Sequence, residues 1–94
     1  MDAVHLGREQ RSILNMKTRI LGRSGIEVSA IGLGCWAIGG AVTRDGRPTG
    51  WSTTDDEESM SALRHGLDLG INLLDTSDAY GCGHSEKLIG EVLQ

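Results

Sequence analysis

The sequence predicts an α/β fold, the N-terminal part of a (β/α)8 TIM barrel, in the order hairpin, strand, helix, strand and start of a second helix. Three observations carry this. Two short apolar runs, residues 28–34 and 71–74, flank one amphipathic helical segment, the strand–helix–strand order of a parallel sheet. Both runs lack polar alternation, as strands covered on both faces do. Two strands also leave two open edges that one and a half helices cannot cover, and a closed barrel needs about 250 residues. The 94 residues are therefore expected to be the opening portion of a barrel, with the remainder missing.

Each element has its own signal. Residues 1–15 show no clear period and read as an N-terminal extension, a tail or an over-extended start, ahead of an incomplete barrel domain over 16–94. Residues 18–28 read as a β-hairpin: Ile20 and Leu21 precede turn residues 22–25, then Ile26 and Val28 alternate with polar neighbours. Residues 28–34 read as a strand buried on both faces. Residues 39–54, with Gly39, Gly40, Gly46, Pro48 and Gly50, read as a loop of the length that usually serves function.

The first helix opens on Thr54, three before Glu57 in capping-box spacing, with Asp55 and Asp56 placing negative charge at its N-terminus. Met60, Leu63 and Leu67 recur at helical spacing, with Glu58, Ser61 and His65 opposite, and Gly70 is the expected stop. The second strand, 71–74, runs into a loop at 75–81. A second helix begins near Ser85, with Leu88, Ile89, Val92 and Leu93 as its apolar face, and is expected to be still running at Gln94.

Composition narrows the function. Hydrophobic residues at 38% and charged residues at 23% are globular values. Fourteen glycines without a period against one proline exclude a collagen-like chain. No apolar run approaches the roughly 18 residues of a membrane span, and Asp2, Arg8, Glu9 and Arg11 deny the start an apolar signal core. A net charge of −4 without a basic cluster speaks against a nucleic-acid partner. Cys35 and Cys82 form neither a disulfide framework nor a metal pair and read as reduced thiols of a cytoplasmic protein. With two Trp, one Tyr and no Phe, there is little bulk for a self-contained core.

Two constellations could carry chemistry. Gly32-Leu-Gly34-Cys-Trp-Ala37 fits the G-x-G-x-x-G/A dinucleotide fingerprint, with Asp55 and Asp56 about 20 residues on. That fingerprint must open a helix whose N-terminus receives the pyrophosphate, and residues 38–46 cannot be that helix. The glycines instead suit a strand end where backbone and ligand approach closely. Asp75 and Tyr80 lie just past the C-terminal end of the second strand, the end that carries barrel active sites. Asp75 alone could simply cap the turn that follows. Tyr80 could give its phenolic proton to a carbonyl oxygen. A free phenol has a pKa of about 10, so this needs a nearby cation, which a carboxylate such as Asp75 could hold.

The segments 16–36 (Met-Lys-Thr-Arg-Ile-Leu-Gly-Arg-Ser-Gly-Ile-Glu-Val-Ser-Ala-Ile-Gly-Leu-Gly-Cys-Trp) and 67–81 (Leu-Asp-Leu-Gly-Ile-Asn-Leu-Leu-Asp-Thr-Ser-Asp-Ala-Tyr-Gly) resemble the aldo-keto reductase superfamily. So does Gly83-His-Ser-Glu-Lys-Leu-Ile-Gly90, and the likeness is to the bacterial-type reductases more than to the mammalian aldose reductases. The resemblance spans 16–94. It implies a (β/α)8 barrel closed at the bottom by the N-terminal hairpin, with hydride passing between NADP(H) and a carbonyl or alcohol. The family's catalytic set is Asp, Tyr, Lys and His. By resemblance Asp75 is the Asp and Tyr80 the acid/base Tyr. Gly34, Cys35 and Trp36 match the first strand-end segment, beside nicotinamide and substrate. Cofactor contacts are thus expected from Gly34, Cys35, Trp36 and Asp75, and substrate contacts from Trp36 and Tyr80, with Trp36 as a core aromatic the alternative. Ser77 stands where Ala is frequent, a small departure.

The family Lys and His belong to the next two strands, which this sequence does not contain. Lys87 and His84 do not replace them and read as solvated positions around a helix start. No metal is expected, since Asp75, Cys82 and His84 lack zinc spacing and a fourth ligand. Trp51 and Arg47 either line a substrate mouth or anchor the long loop. The expected function is the N-terminal fragment of an NADP(H)-dependent reductase acting on a small-molecule aldehyde, ketone or sugar-like alcohol. Neither nucleic acid nor membrane is an expected partner. Because the family's adenosine-phosphate contacts lie late in the barrel, the chain alone is expected to be inactive. The alternatives are a non-enzymatic regulatory barrel like the channel-associated β subunits, and a truncated product without function.

Overall fold

Pairing begins with the hairpin. The computed structural model describes residues 16–94, so the expected 1–15 extension lies outside the described residues. Strand β1 (Thr18–Ile20) pairs antiparallel with β2 (Glu27–Ser29) in the register Arg19↔Val28. Gly22 and Gly25 take positive φ in the turn, where glycine carries no β-carbon penalty. The Ser24 hydroxyl tightens it by donating to the Leu21 carbonyl at 2.7 Å and accepting from the Ile26 amide. All of β1 is exposed, and only Val28 and Ser29 of β2 are buried.

The expected doubly buried strand over 28–34 is corrected here. The run splits: β2 stays with the hairpin, and a two-residue strand, β3 (Leu33–Gly34), forms after a bend. The Ser29 hydroxyl turns the chain by donating to the Ile31 carbonyl at 2.7 Å, and Ile31 is 64% exposed. Asn72 then ties the hairpin to the second run. Its side-chain oxygen accepts from the Ser29 amide, its own amide donates to Ser29 Oγ, and its Nδ2 donates to the Glu27 carbonyl.

The long connection 35–55 is more structured than a loop. A 3₁₀ turn (Ala37–Gly39) follows Trp36, and a small hairpin pairs β4 (Thr43–Arg44) with β5 (Arg47–Pro48). Helix α1 (Asp56–Asp68) follows, and its cap is Asp55 rather than Thr54. The Asp55 carboxylate accepts from the Glu57 and Glu58 amides, because a residue directly before the first turn reaches its orphan N–H groups. Met60 and Leu63 are buried and Leu67 partly so, while Glu58, Ser61 and His65 are exposed. Gly70, at φ +105°, ends the helix, with the Ile71 amide donating back to the Gly66 carbonyl.

Strand β6 (Leu74–Asp75) runs parallel to β3, as the strand–helix–strand order requires, in the register Leu33↔Leu74 and Gly34↔Asp75. A 3₁₀ turn (Tyr80–Gly83) leads into helix α2 (His84–Leu93). The core lies between the strand pair and the two helices: Cys35, Met60, Leu63, Leu88, Ile89 and Val92, with Leu33, Ile38, Leu67 and Leu74 packed against it. Leu93, expected on the buried face, is 60% exposed, since it falls on the outer side of the last turn. Helix α1 passes close to β3 because Gly66 has no side chain: a β-carbon there would crowd Leu33 Cδ1. The described residues form a mixed α/β unit of three two-stranded sheets, with no closed barrel among them.

Candidate active site

Parallel pairing sets the C-terminal ends of β3 and β6 side by side. The Leu33 amide donates to the Leu73 carbonyl at 2.9 Å, and the Cys35 amide donates to the Asp75 carbonyl at 2.8 Å. Gly34 and Asp75 are therefore cross-strand neighbours. Nothing lies within 4 Å of where a β-carbon of Gly34 would stand, and Asp75 is exposed, so both strand ends meet open space. Cys35 faces the other way. It is 1% exposed within the apolar core. Burial, aided by the Asp75 carboxylate, pushes its thiol above the ordinary range. A thiol kept protonated is neither nucleophile nor ligand.

Tyr80 sits in the short connection after β6. Ser77 shapes this segment, its carbonyl accepting from the Tyr80 amide at 3.1 Å and its hydroxyl from the Ala79 amide at 3.1 Å. Gly81, Cys82 and Gly83 then take positive φ in succession. At Gly81 the chain lies against Gly39, and a β-carbon on either would overlap the other's backbone. Half-buried Tyr80 is thus pinned beside the 3₁₀ turn that follows Trp36. Among the described residues, the Asp75 carboxylate and the Tyr80 phenol make no hydrogen bond to each other.

Around this sit the first connection and the helix starts. Trp36 and Trp51 meet edge to face, 4.9 Å between ring centroids, at 41% and 50% exposure. Among the described residues Trp36 is exposed and lies outside the apolar core cluster. Trp51 both packs on Trp36 and lines an open recess of about 710 Å³ with Ala37, Ile38, Thr54 and Glu58, whereas neither Asp75 nor Tyr80 borders it. Arg47 is exposed in β5. His84 is engaged by Asp56, Nε2 to Oδ1 at 2.8 Å, on the surface. Among the described residues no three His, Cys, Asp or Glu gather as metal ligands, and no helix is long and apolar enough to cross a membrane.

Sequence reasoning missed the groups that hold these ends together. Ser85 is fully buried, donates to the Cys35 carbonyl at 2.8 Å and meets Thr76 Oγ1 at 2.9 Å. The sequence placed Thr76 and Ser85 within family-like segments and Ser85 at a helix start, but a hydrogen bond between distant residues carries no period, so nothing there marked their bonds or the Gly39–Gly81 contact.

Comparison with known proteins agrees with the resemblance. The aldo/keto reductase family model matches residues 30–94. The aldo-keto reductase YhdN of Bacillus subtilis (strain 168) is 45% identical over 71 residues, covering 76% of this chain and 19% of the relative. A putative voltage-gated potassium channel subunit beta of Schizosaccharomyces pombe is 38% identical over 80 residues, covering 85% of this chain and 20% of the relative. Among solved structures, the holo form of aldo-keto reductase AKR11C1 from Bacillus halodurans superposes with a TM-score of 0.64 at 35% identity, covering 83% of this chain and 22% of that one. The chain spans about a fifth of the length of these relatives. With more than half its length matched and two parallel strand ends juxtaposed, this chain belongs to the aldo/keto reductase family.

Proposed function

We propose that residues 16–94 form the opening of a (β/α)8 barrel in a cytoplasmic, NADP(H)-dependent reductase of small carbonyl compounds, with the hairpin across the bottom. The observation that carries the reading is the Gly34↔Asp75 register, which puts the family-matched segments on adjacent parallel strand ends. The residues present fit the nicotinamide end of such a cofactor. Gly34 leaves open space at its strand end, and its exposed neighbours Asp75 and Trp36 would offer a carboxylate and an aromatic ring to the bound group. When bound, the cofactor supplies the hydride for the carbonyl carbon. Tyr80 gives its phenolic proton to the carbonyl oxygen, so the product leaves as a neutral alcohol rather than an alkoxide. Asp75 holds in place the cation that makes a phenol useful at neutral pH. Trp36 borders the substrate, and Cys35 contributes its place in the backbone, its thiol being committed to the core.

Joining residues 16–94 to the remaining barrel of the Bacillus subtilis relative tests this. The graft is expected to oxidise NADPH with a benzaldehyde, and Tyr80→Phe to slow it about 100-fold or more. A folded graft that binds NADPH and reduces nothing sinks the reading. The 94 residues alone are expected to leave NADPH untouched. A second reading, a regulatory barrel without turnover, draws on the likeness to the channel subunit beta. It is the outcome if the graft binds cofactor with wild-type Tyr80 and Tyr80→Phe changes nothing.

A further inference from the structure

We propose that Ser85 is a positioning residue, whose buried hydroxyl closes a hydrogen-bonded ring that fixes the backbone carrying Asp75 and Tyr80. The proposal rests on the roles given above to those two residues. Ser85 lies in the first turn of α2, two residues past the N-cap Gly83, which has no side chain to cap the helix. Both interactions of the Ser85 hydroxyl leave the helix. A hydroxyl has one hydrogen, and Ser85 spends it on the Cys35 carbonyl at 2.8 Å. Thr76 Oγ1, 2.9 Å away, must then donate to Ser85 Oγ.

The circuit closes. Asp75 accepts from the Cys35 amide, the Cys35 carbonyl accepts from Ser85, Ser85 accepts from Thr76, and Thr76 is peptide-bonded to Asp75. It joins the ends of both parallel strands to the start of α2, five residues past Tyr80. The Gly39–Gly81 contact clamps the chain between them. Ser85 is 0% exposed, and a buried hydroxyl is unfavourable unless bonded, so alanine would suit this site better if packing were its only task.

The test uses amide exchange on the 94-residue chain and on the graft, with steady-state kinetics on the graft. With Ser85→Ala, the Cys35 amide is expected to exchange about 10-fold faster or more. The kcat is expected to fall about 10- to 100-fold with KM nearly unchanged, the pattern of misplaced reacting groups. Thr76→Val, which removes the donor into Ser85 from an exposed position, is expected to show the same pattern to a smaller degree, and Thr76→Ser to restore it. Wild-type exchange and kcat in a folded Ser85→Ala protein overturn the proposal. So does a loss in which kcat, KM and melting temperature move together and Thr76→Ser restores nothing. An inactive wild-type graft counts against the proposed function instead, and the exchange measurements still decide whether the ring exists.

Discussion

Two connections leave the parallel strand ends, and they are built in opposite ways. The first, 35–55, is long and supports itself. It has its own β4–β5 hairpin, an edge-to-face tryptophan pair and a cap for the helix it enters, and most of its side chains are exposed. The second, 76–83, is short and holds its shape through others. Its backbone rests on Gly39, its Thr76 on buried Ser85, and three consecutive residues accept positive φ to make the turn. The lesson is that precision and freedom are divided between them. Whatever Tyr80 and Asp75 do is set by a segment that tolerates little change, whereas in the first connection the exposed side chains, away from crowded Gly39 and Gly50, can vary at small energetic cost.

The contrast can be tested in descending order of effect. Gly81→Ala attacks the short connection directly, since the new β-carbon overlaps the Gly39 carbonyl at a positive φ. Urea unfolding is expected to show a loss of about 2–4 kcal/mol, and wild-type stability would mean that the two connections are not in contact. Asp55→Ala at the end of the long connection removes a cap that serves two amides. It is expected to cost about 1 kcal/mol, read by the same titration with Thr54→Ala as a neutral control.

Trp51→Ala is expected to cost only about 0.5 kcal/mol of stability, as the pair is half-exposed, while opening the recess. A change in KM across a series of bulky aldehydes, with an unmoved melting temperature, is the expected signature on the graft. A large drop in melting temperature would show that the long connection is no freer than the short one.

The smallest effect concerns Cys35, at the root of the first connection. Burial raises its thiol, so the folded chain keeps a proton that the unfolded chain releases at about pH 8.5. The resulting stabilisation is complete below that pH and is lost as pH rises through the folded-state value. Urea midpoints are expected to decline above pH 8.5 in the wild type and to decline less in Cys35→Ala. Cys82, exposed, is expected to take a thiol reagent at neutral pH well before Cys35 does.

Much of this architecture is legible in the amino-acid sequence. The hairpin, the α1 face of Met60 and Leu63, the Gly70 stop and the parallel pairing follow from period and punctuation, which are local properties of the chain. Where local signals compete, reading failed by small margins. Thr54 and Asp55 are both good caps one residue apart, and only the geometry of the first turn chooses Asp55. The run 28–34 looked like a single strand because periodicity reports that residues are apolar and not which partner they meet. Ser29 bends it by donating its hydroxyl to the Ile31 carbonyl two residues on, and Asn72, 43 residues away, holds the Ser29 amide on the hairpin side.

By itself, then, the sequence determined the family, the element order and the residue types at the strand ends, because those rest on motif identity and short-range pattern. Tertiary structure alone decided that Cys35 turns into the core while Gly34 and Asp75 meet open space, that Trp51 finds Trp36, and that Ser85 joins both strand ends. Each of these depends on atoms brought together across the chain, where burial makes a hydrogen bond or a missing β-carbon matter and no local propensity records it.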